Sequence, residues 1–199
     1  APVITGGATA SVSVAEGQTA VTDVDATDDD AGVSLTYAIV PVVEDAAKFS
    51  IVPGTGVLTF LSAPDFENPT DTATAGNNTY VVDVNVTDGA NWNVQTITVT
   101  VTDLNDESPV IAGGATASFT IAENQTAVTT VAATDADAGA SLTYATVPGV
   151  EDDAKFSIVS ATGVLTFSPA PDFETPTDVG DTAGNNTYVV DVNVTDGAN

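Results

Sequence analysis

The chain has 199 residues, of which 28 are acidic and only Lys48 and Lys155 are basic, giving a formal net charge of −26; cysteine, methionine and histidine are absent. These absences remove disulfides, thiol and imidazole catalysis, and the usual zinc, copper and haem ligands. The acidity opposes nucleic acid and anionic membrane surfaces, which are held by Lys and Arg, whereas 43% hydrophobic residues set the chain apart from a disordered acidic tail. No apolar run approaches the roughly 18 to 20 residues of a membrane span, so no membrane insertion is expected. No charged-then-apolar signal segment follows Ala1. The expectation is a soluble piece excised from something longer.

In chain order, short β-rich runs lie near Ala10 to Val14, Ala20 to Ala26, Leu35 to Val40, Phe49 to Val52 and Val57 to Leu61, separated by Gly, Pro, Asn and Asp. Tyr80, Val82, Val84 and Val86 then alternate with Val81, Asp83, Asn85 and Thr87, and Ile97, Val99 and Val101 alternate with threonines. A period of two marks half-buried strands. Seven strands and no helix of three turns predict an all-β, Greek-key sandwich. Phe49, Leu58, Phe60, Tyr80 and Trp92 are its candidate core or rim aromatics and aliphatics.

The unit then repeats. Ala26-Thr27-Asp28-Asp29-Asp30-Ala31-Gly32 returns as Ala133-Thr134-Asp135-Ala136-Asp137-Ala138-Gly139, and Lys48-Phe49-Ser50-Ile51-Val52 as Lys155-Phe156-Ser157-Ile158-Val159. Tyr80 to Gly89 recurs unchanged as Tyr188 to Gly197. Two tandem sandwiches are expected, residues 1–107 and 108–199. The second lacks a counterpart of Trp92 to Asp106, hence its last strand.

The acidic residues fall in repeated patterns. Asp28-x-Asp30 and Asp135-x-Asp137 precede a glycine; Asp65-x-Glu67 and Asp172-x-Glu174 form a second spaced pair; Asp103-Leu104-Asn105-Asp106 lies at the unit boundary. Carboxylates two apart in a loop can turn their oxygens onto one ion, and calcium takes six to eight hard oxygens in tolerant geometry.

These motifs together resemble the cadherin family, specifically the cadherin-like repeats of large bacterial surface and adhesin proteins. The resemblance spans nearly the whole chain. It rests on Ala15-Glu16-Gly17 and Ala122-Glu123-Asn124, the Asp-x-Asp loops, the segments Phe49 to Glu67 and Phe156 to Glu174, Asp88 and Asp196 before glycine, and Asp103-Leu104-Asn105-Asp106-Glu107-Ser108-Pro109. It implies a calcium cluster of about three ions at the joint, held by Glu16, Asp65 and Glu67 of the first unit, by Asp103, Asn105 and Asp106 of the linker, and by Asp135, Asp137 and Asp196 of the second. Leu104, Glu107 and Ser141 stand where the family supplies main-chain carbonyls. Asp28, Asp30 and Asp88 would be half of an earlier joint, and Glu123, Asp172 and Glu174 half of a later one. Phe66 is expected beside the site and not in it.

Charge favours this assignment over a merely solvated acidic face. Two like charges about 4 Å apart repel by roughly 4 kcal/mol at an effective dielectric near 20, and three calcium ions nearly neutralise the joint's eight carboxylates. The resulting expectation is a non-enzymatic, calcium-dependent, extracellular or cell-surface module of a secreted stalk, fibre or adhesin. Its partners would be neighbouring repeats, other copies of itself or surface glycans. The alternatives are a carbohydrate-binding module, for which only Trp92 is placed, and a filament subunit assembled by strand exchange; a carboxylate-pair glycosidase leaves too few free acids.

Overall fold

The computed structural model describes residues 1–179 and 182–198. The chain divides into two compact units, Ala1–Leu104 and Asn105–Asn199. Asn105, Asp106 and Glu107, counted with the first repeat on sequence, therefore fall in the second unit.

Unit 1 runs β1 (Val3–Ile4), β2 (Thr9–Ala15), β3 (Ala20–Asp23), β4 (Ala26–Thr27), β5 (Thr36–Ile39), β6 (Phe49–Ile51), β7 (Val57–Phe60), β8 (Thr79–Thr87) and β9 (Trp92–Thr102). The alternation in β8 and β9 does what its period dictates. Tyr80, Val82, Val84 and Val86 of β8 and Ile97, Val99 and Val101 of β9 are almost wholly buried, while the intervening threonines face outward. The two strands pair antiparallel from Thr79↔Thr100 to Thr87↔Trp92. β2 lies parallel to β9 on its other edge, from Thr9↔Thr96 to Ala15↔Thr102. The first sheet has the order β2-β9-β8-β5, and the facing sheet β3-β7-β6.

Both sheets feed one core, in which Phe49 stacks on Phe60 at 4.6 Å between centroids and Tyr80 meets Phe60 edge-on at 5.3 Å. Trp92 departs from the expected core or rim role: it sits at the exposed start of β9 with 69% of its surface accessible. Facing outward on the strand, it has no second sheet to pack against. Phe66 packs partly buried against the core. The tight turn before β7 brings Gly56 against the first sheet at φ +78°, where a Cβ would collide with the Val24 carbonyl oxygen and press on the Tyr37 ring. Gly163 repeats this approach against Val131 and Tyr144.

Between β7 and β8 the chain makes a long excursion that carries Asp65 and Glu67. Buried acids pin it. Asp45 accepts the Thr72 N–H at 2.7 Å, the Thr72 hydroxyl at 2.8 Å and the Val81 N–H at 2.9 Å. Asp71 accepts the Asn77 and Asn78 N–H groups, both at 3.3 Å. Unit 2 repeats the device with Asp152, which accepts Val179 and Val189 N–H, and Asp178, which accepts Gly184, Asn185 and Asn186 N–H. A carboxylate filled by backbone donors is satisfied as an anion and anchors the loop without an ion.

Unit 2 comprises β10 (Val110–Ile111), β11 (Ala127–Thr130), β12 (Ala133–Thr134), β13 (Thr143–Thr146), β14 (Phe156–Ile158), β15 (Val164–Phe167) and β16 (Val192–Thr195). The sheet β11-β15-β14 reproduces β3-β7-β6, but the other sheet shrinks to β13-β16. Among the described residues nothing corresponds to β9. The segments that match β2 and part of β8, 116–122 and 188–191, carry no strand.

Two outcomes are expected. Gly56→Ala should cost about 1–3 kcal/mol through strain at positive φ, plus the clash; urea unfolding of the full chain measures it, and a loss below about 0.5 kcal/mol would contradict this account. For Asp178, burial pushes the carboxyl up, but the N–H groups of Asn185, Gly184 and Asn186 outweigh burial and hold it below 3.8. Its stabilising contribution is therefore fully present above pH 3.8 and disappears as pH falls through the lower folded value. Asp178→Asn should remove that acid-side slope, read as a smaller drop in melting temperature between pH 5 and pH 2 than in the parent chain.

Candidate metal centre

β9 fixes where the carboxylates go. Its eleven residues span roughly 33 Å at the strand rise, so the β8–β9 hairpin with Asp88 lies at one end of unit 1, and Glu16, Asp103 and the 64–67 segment lie at the other. At this second end Glu16, just past β2, is bound by two backbone donors, the Phe66 N–H to Oε2 at 2.6 Å and the Leu104 N–H to Oε1 at 2.8 Å. The Glu67 carboxylate has an oxygen within 4.8 Å of one of Glu16, and an oxygen within 4.8 Å of one of Asp103. Asp65 is not drawn into this group. Its carboxylate is engaged by Asn68, through the N–H at 2.8 Å and the side-chain amide at 3.2 Å.

At the hairpin end, Asp28, Asp30 and Asp88 bring one oxygen each within 4.8 Å of one another. The Asp-x-Asp loop is an Asx turn, with the Asp30 N–H donating to Asp28 Oδ1 at 2.9 Å. Asp88 Oδ1 accepts the Ala90 and Asn91 N–H groups at 2.7 and 2.6 Å. Its carboxyl is held below the usual range, first by the Asn91 N–H and then by the Ala90 N–H and the Asn91 side chain. The Ala1 ammonium lies 3.5 Å from Asp28 and 4.0 Å from Asp88.

Unit 2 repeats that group with Asp135, Asp137 and Asp196, again with oxygens within 4.8 Å of one another. The Asp137 N–H donates to Asp135 Oδ1 at 2.9 Å, and the Ala198 N–H to Asp196 Oδ1 at 2.8 Å. The remaining oxygen of Asp135, Oδ2, is buried with no hydrogen-bond donor among the described residues. The start of the unit folds onto the group: the Glu107 N–H donates to Asp137 Oδ2 at 3.1 Å, and the Asn105 side-chain amide lies against the same oxygen and Asp196 Oδ2, donating to both when its nitrogen is assigned to that side. Asp106 and Ser141 are exposed, as is the Leu104 side chain.

A second group in unit 2 gathers Glu123, Asp172 and Glu174, one oxygen each within 4.8 Å of one another. As with Glu16, Glu123 accepts the N–H of the residue inside the spaced pair, Phe173, at 3.2 Å. Unlike Asp65, Asp172 joins its group, and Thr175, through its hydroxyl and then its N–H, leads in holding the Asp172 carboxyl below the usual range. The sequence reading did not single out Asn68 and Asn91. Their signal is the Asp-x-x-Asn spacing of Asp65 with Asn68 and of Asp88 with Asn91, which lets the amide return to the acid three residues earlier.

All donors here are hard oxygens, mostly ionised and lying close together. Each like-charge pair 4.8 Å apart costs about 3.5 kcal/mol at an effective dielectric of 20. Such a set suits calcium and offers nothing to softer metals.

No family model matches the chain. It is 34% identical over 150 residues, 71% of its length, to protocadherin Fat 4 of the mouse, and spans 3% of that relative. Among solved structures, domains EC1-2 of human protocadherin-24 match with a TM-score of 0.68 at 23% identity, over 96% of this chain and 92% of that one. Both units are cadherin-like domains. Drosophila N-cadherin EC1-4 matches at TM-score 0.68 and 19% identity, covering 98% of this chain and 48% of that one. Mouse cadherin-23 EC22-24 matches at 0.64 and 21%, covering 98% and 64%. The two-sheet arrangement around β9 and the facing sheet is thus the cadherin-like sandwich.

Glu16 has a structural duty separable from any ion. Replacing it by alanine removes two charge-assisted bonds and should cost about 3 kcal/mol in chelator, with Glu16→Gln losing roughly half as much because one carbonyl acceptor remains. Equal unfolding midpoints for Glu16→Ala and the parent chain would contradict this role.

Proposed function

We propose that this chain is a calcium-binding structural segment of an extracellular adhesion or stalk protein, in which calcium held at the joint stiffens successive cadherin-like repeats. The observation that carries the reading is the Asp135-Asp137-Asp196 group with its buried, donor-free Asp135 Oδ2. A solvated acidic face has no reason to bury a carboxylate oxygen against two more carboxylates and leave it without a donor. A divalent cation supplies what is missing.

In this reading Glu16, Glu67 and Asp103 from unit 1 and Asn105, Asp106, Asp135, Asp137 and Asp196 from unit 2 hold about three calcium ions. Support comes from chain continuity, since Asp103 and Asn105 are separated by one residue, and from the same acidic groups recurring within each unit. Main-chain carbonyls of Leu104, Glu107 and Ser141 complete the shell. Asn105 turns its carbonyl inward in place of its nitrogen, and Asp65 joins after releasing Asn68. The groups Asp28-Asp30-Asp88 and Glu123-Asp172-Glu174 serve neighbouring repeats. Sites of this type fill at extracellular calcium and stay empty at cytosolic levels, consistent with a surface or secreted location. Among the described residues no helix is long and apolar enough to cross a membrane. Near-identical repeats without cysteine favour a bacterial surface array.

Calcium should raise the melting temperature in the full chain, with about 2.7 kcal/mol per independent site when calcium is a hundredfold above Kd. Asp135→Asn keeps the acceptor used by the Asp137 N–H while removing the charge at Oδ2. Titration calorimetry should show at least one site lost, with unchanged β circular dichroism in chelator. Calcium binding equal to that of the parent chain would overturn the assignment.

A further inference from the structure

Both units carry the same spaced acid pair on the same excursion, yet they present it differently. In unit 2, Asp172 and Glu174 each bring an oxygen within 4.8 Å of one of Glu123. In unit 1, Asp65 joins none of the groups whose oxygens lie that close, although Glu16 and Glu67 do. From Ala63 to Asp71 and from Ala170 to Asp178 the sequences differ only at Asn68, where unit 2 has Thr175. Backbone support is common to both: the N–H of this residue donates to Oδ1 of the acid, from Asn68 at 2.8 Å and from Thr175 at 3.1 Å. The side chains differ in reach. The Asn68 amide nitrogen stands 3.2 Å from each Asp65 oxygen and so straddles the carboxylate, whereas a threonine hydroxyl has a single proton to donate. Exclusion follows the straddle and not the Asp-x-x-Asn spacing, because the Asn91 amide reaches only Oδ2 of Asp88, and Asp88 keeps its place beside Asp28 and Asp30. Asp65 and Asn68 are both exposed, so the amide can be displaced without opening the core.

Resting on the calcium reading above, we propose that Asn68 is a latch that sets the calcium threshold of the site to which unit 1 contributes. Its amide occupies both oxygens of Asp65, and an entering ion gains that carboxylate only by displacing it. The apparent affinity is then the intrinsic one multiplied by the fraction of chains that are unlatched, so a latch closed in about 70–90% of molecules weakens binding roughly three- to tenfold. Thr175 leaves the Asp172 pair without this handicap. A repeat with threonine at this position therefore completes its site at lower calcium than a repeat with asparagine, and the residue after the acid pair grades the order in which successive sites fill.

Calcium titration calorimetry of the 199-residue chain against its Asn68→Thr variant provides the test, since that change copies unit 2 and keeps the backbone N–H bond. The variant should bind calcium at one site with a Kd about three- to tenfold lower than the parent. In the Asp65→Ala background the same substitution should leave Kd unchanged, because the gain runs through that carboxylate. In the parent chain the Asn68 side-chain amide resonances, identified by their loss in Asn68→Thr, should move when calcium is added. Equal Kd values for the parent and Asn68→Thr, the same gain with and without Asp65, or amide resonances that calcium leaves in place would each overturn the latch while the calcium reading stands. Absence of calcium binding in every chain would remove the calcium reading, and the latch with it.

Discussion

The structure of unit 1 depends on the two-sided pairing of β9. Its left and right neighbours are joined to it over most of their length, and its inward side chains occupy the middle of the core. Unit 2 offers a comparison within the same molecule. There the sheet opposite, β11-β15-β14, forms with the same register as its counterpart, yet identical residues at 188–191 carry no strand. Sequence identical over nine residues therefore carries a strand from Thr79 to Thr87 in unit 1 and from Val192 to Thr195 in unit 2.

The acids divide into two populations by what surrounds them. Asp45, Asp71, Asp152 and Asp178 face backbone N–H groups and act as pins for long excursions. Asp28, Asp30, Asp88, Asp135, Asp137, Asp196, Glu123, Asp172 and Glu174 face one another. The first kind is filled by backbone donors; the second lies close enough for its charges to repel one another. Glu16 belongs to both, with its two oxygens tied to Phe66 and Leu104 while it also lies beside Glu67. It couples the shape of the loop to the placement of Glu67.

Much of this was legible in the amino-acid order. Period-two alternation located β8 and β9 within a few residues because each strand has one wet and one dry face. The spaced acid pairs marked the loops that gather carboxylates because their neighbours, glycine and asparagine, permit Asx turns. Other features were not legible. β1 is only two residues long and owes its existence to pairing with β4. The pinning role of Asp45 depends on partners 27 and 36 residues away, beyond any local pattern. The exclusion of Asp65 from its group turns on Asn68, where unit 2 has Thr175. The outward face of Trp92 follows from strand parity, which places it opposite in phase to Ile97.

The parallel registry of β2 and β9 also determines how unit 1 bears load. β2 is entered from the amino-terminal side and β9 leaves toward the carboxy-terminal side, and both run in the same direction. Tension along the chain therefore pulls the two strands past each other lengthwise, so their ladder bonds, from Thr9↔Thr96 to Ala15↔Thr102, must yield together and not one after another as in an unzipping hairpin. Sliding would also drag Val99 and Val101 out of a dry core. A fold wired this way resists extension by shear, a mechanical property set by strand direction alone.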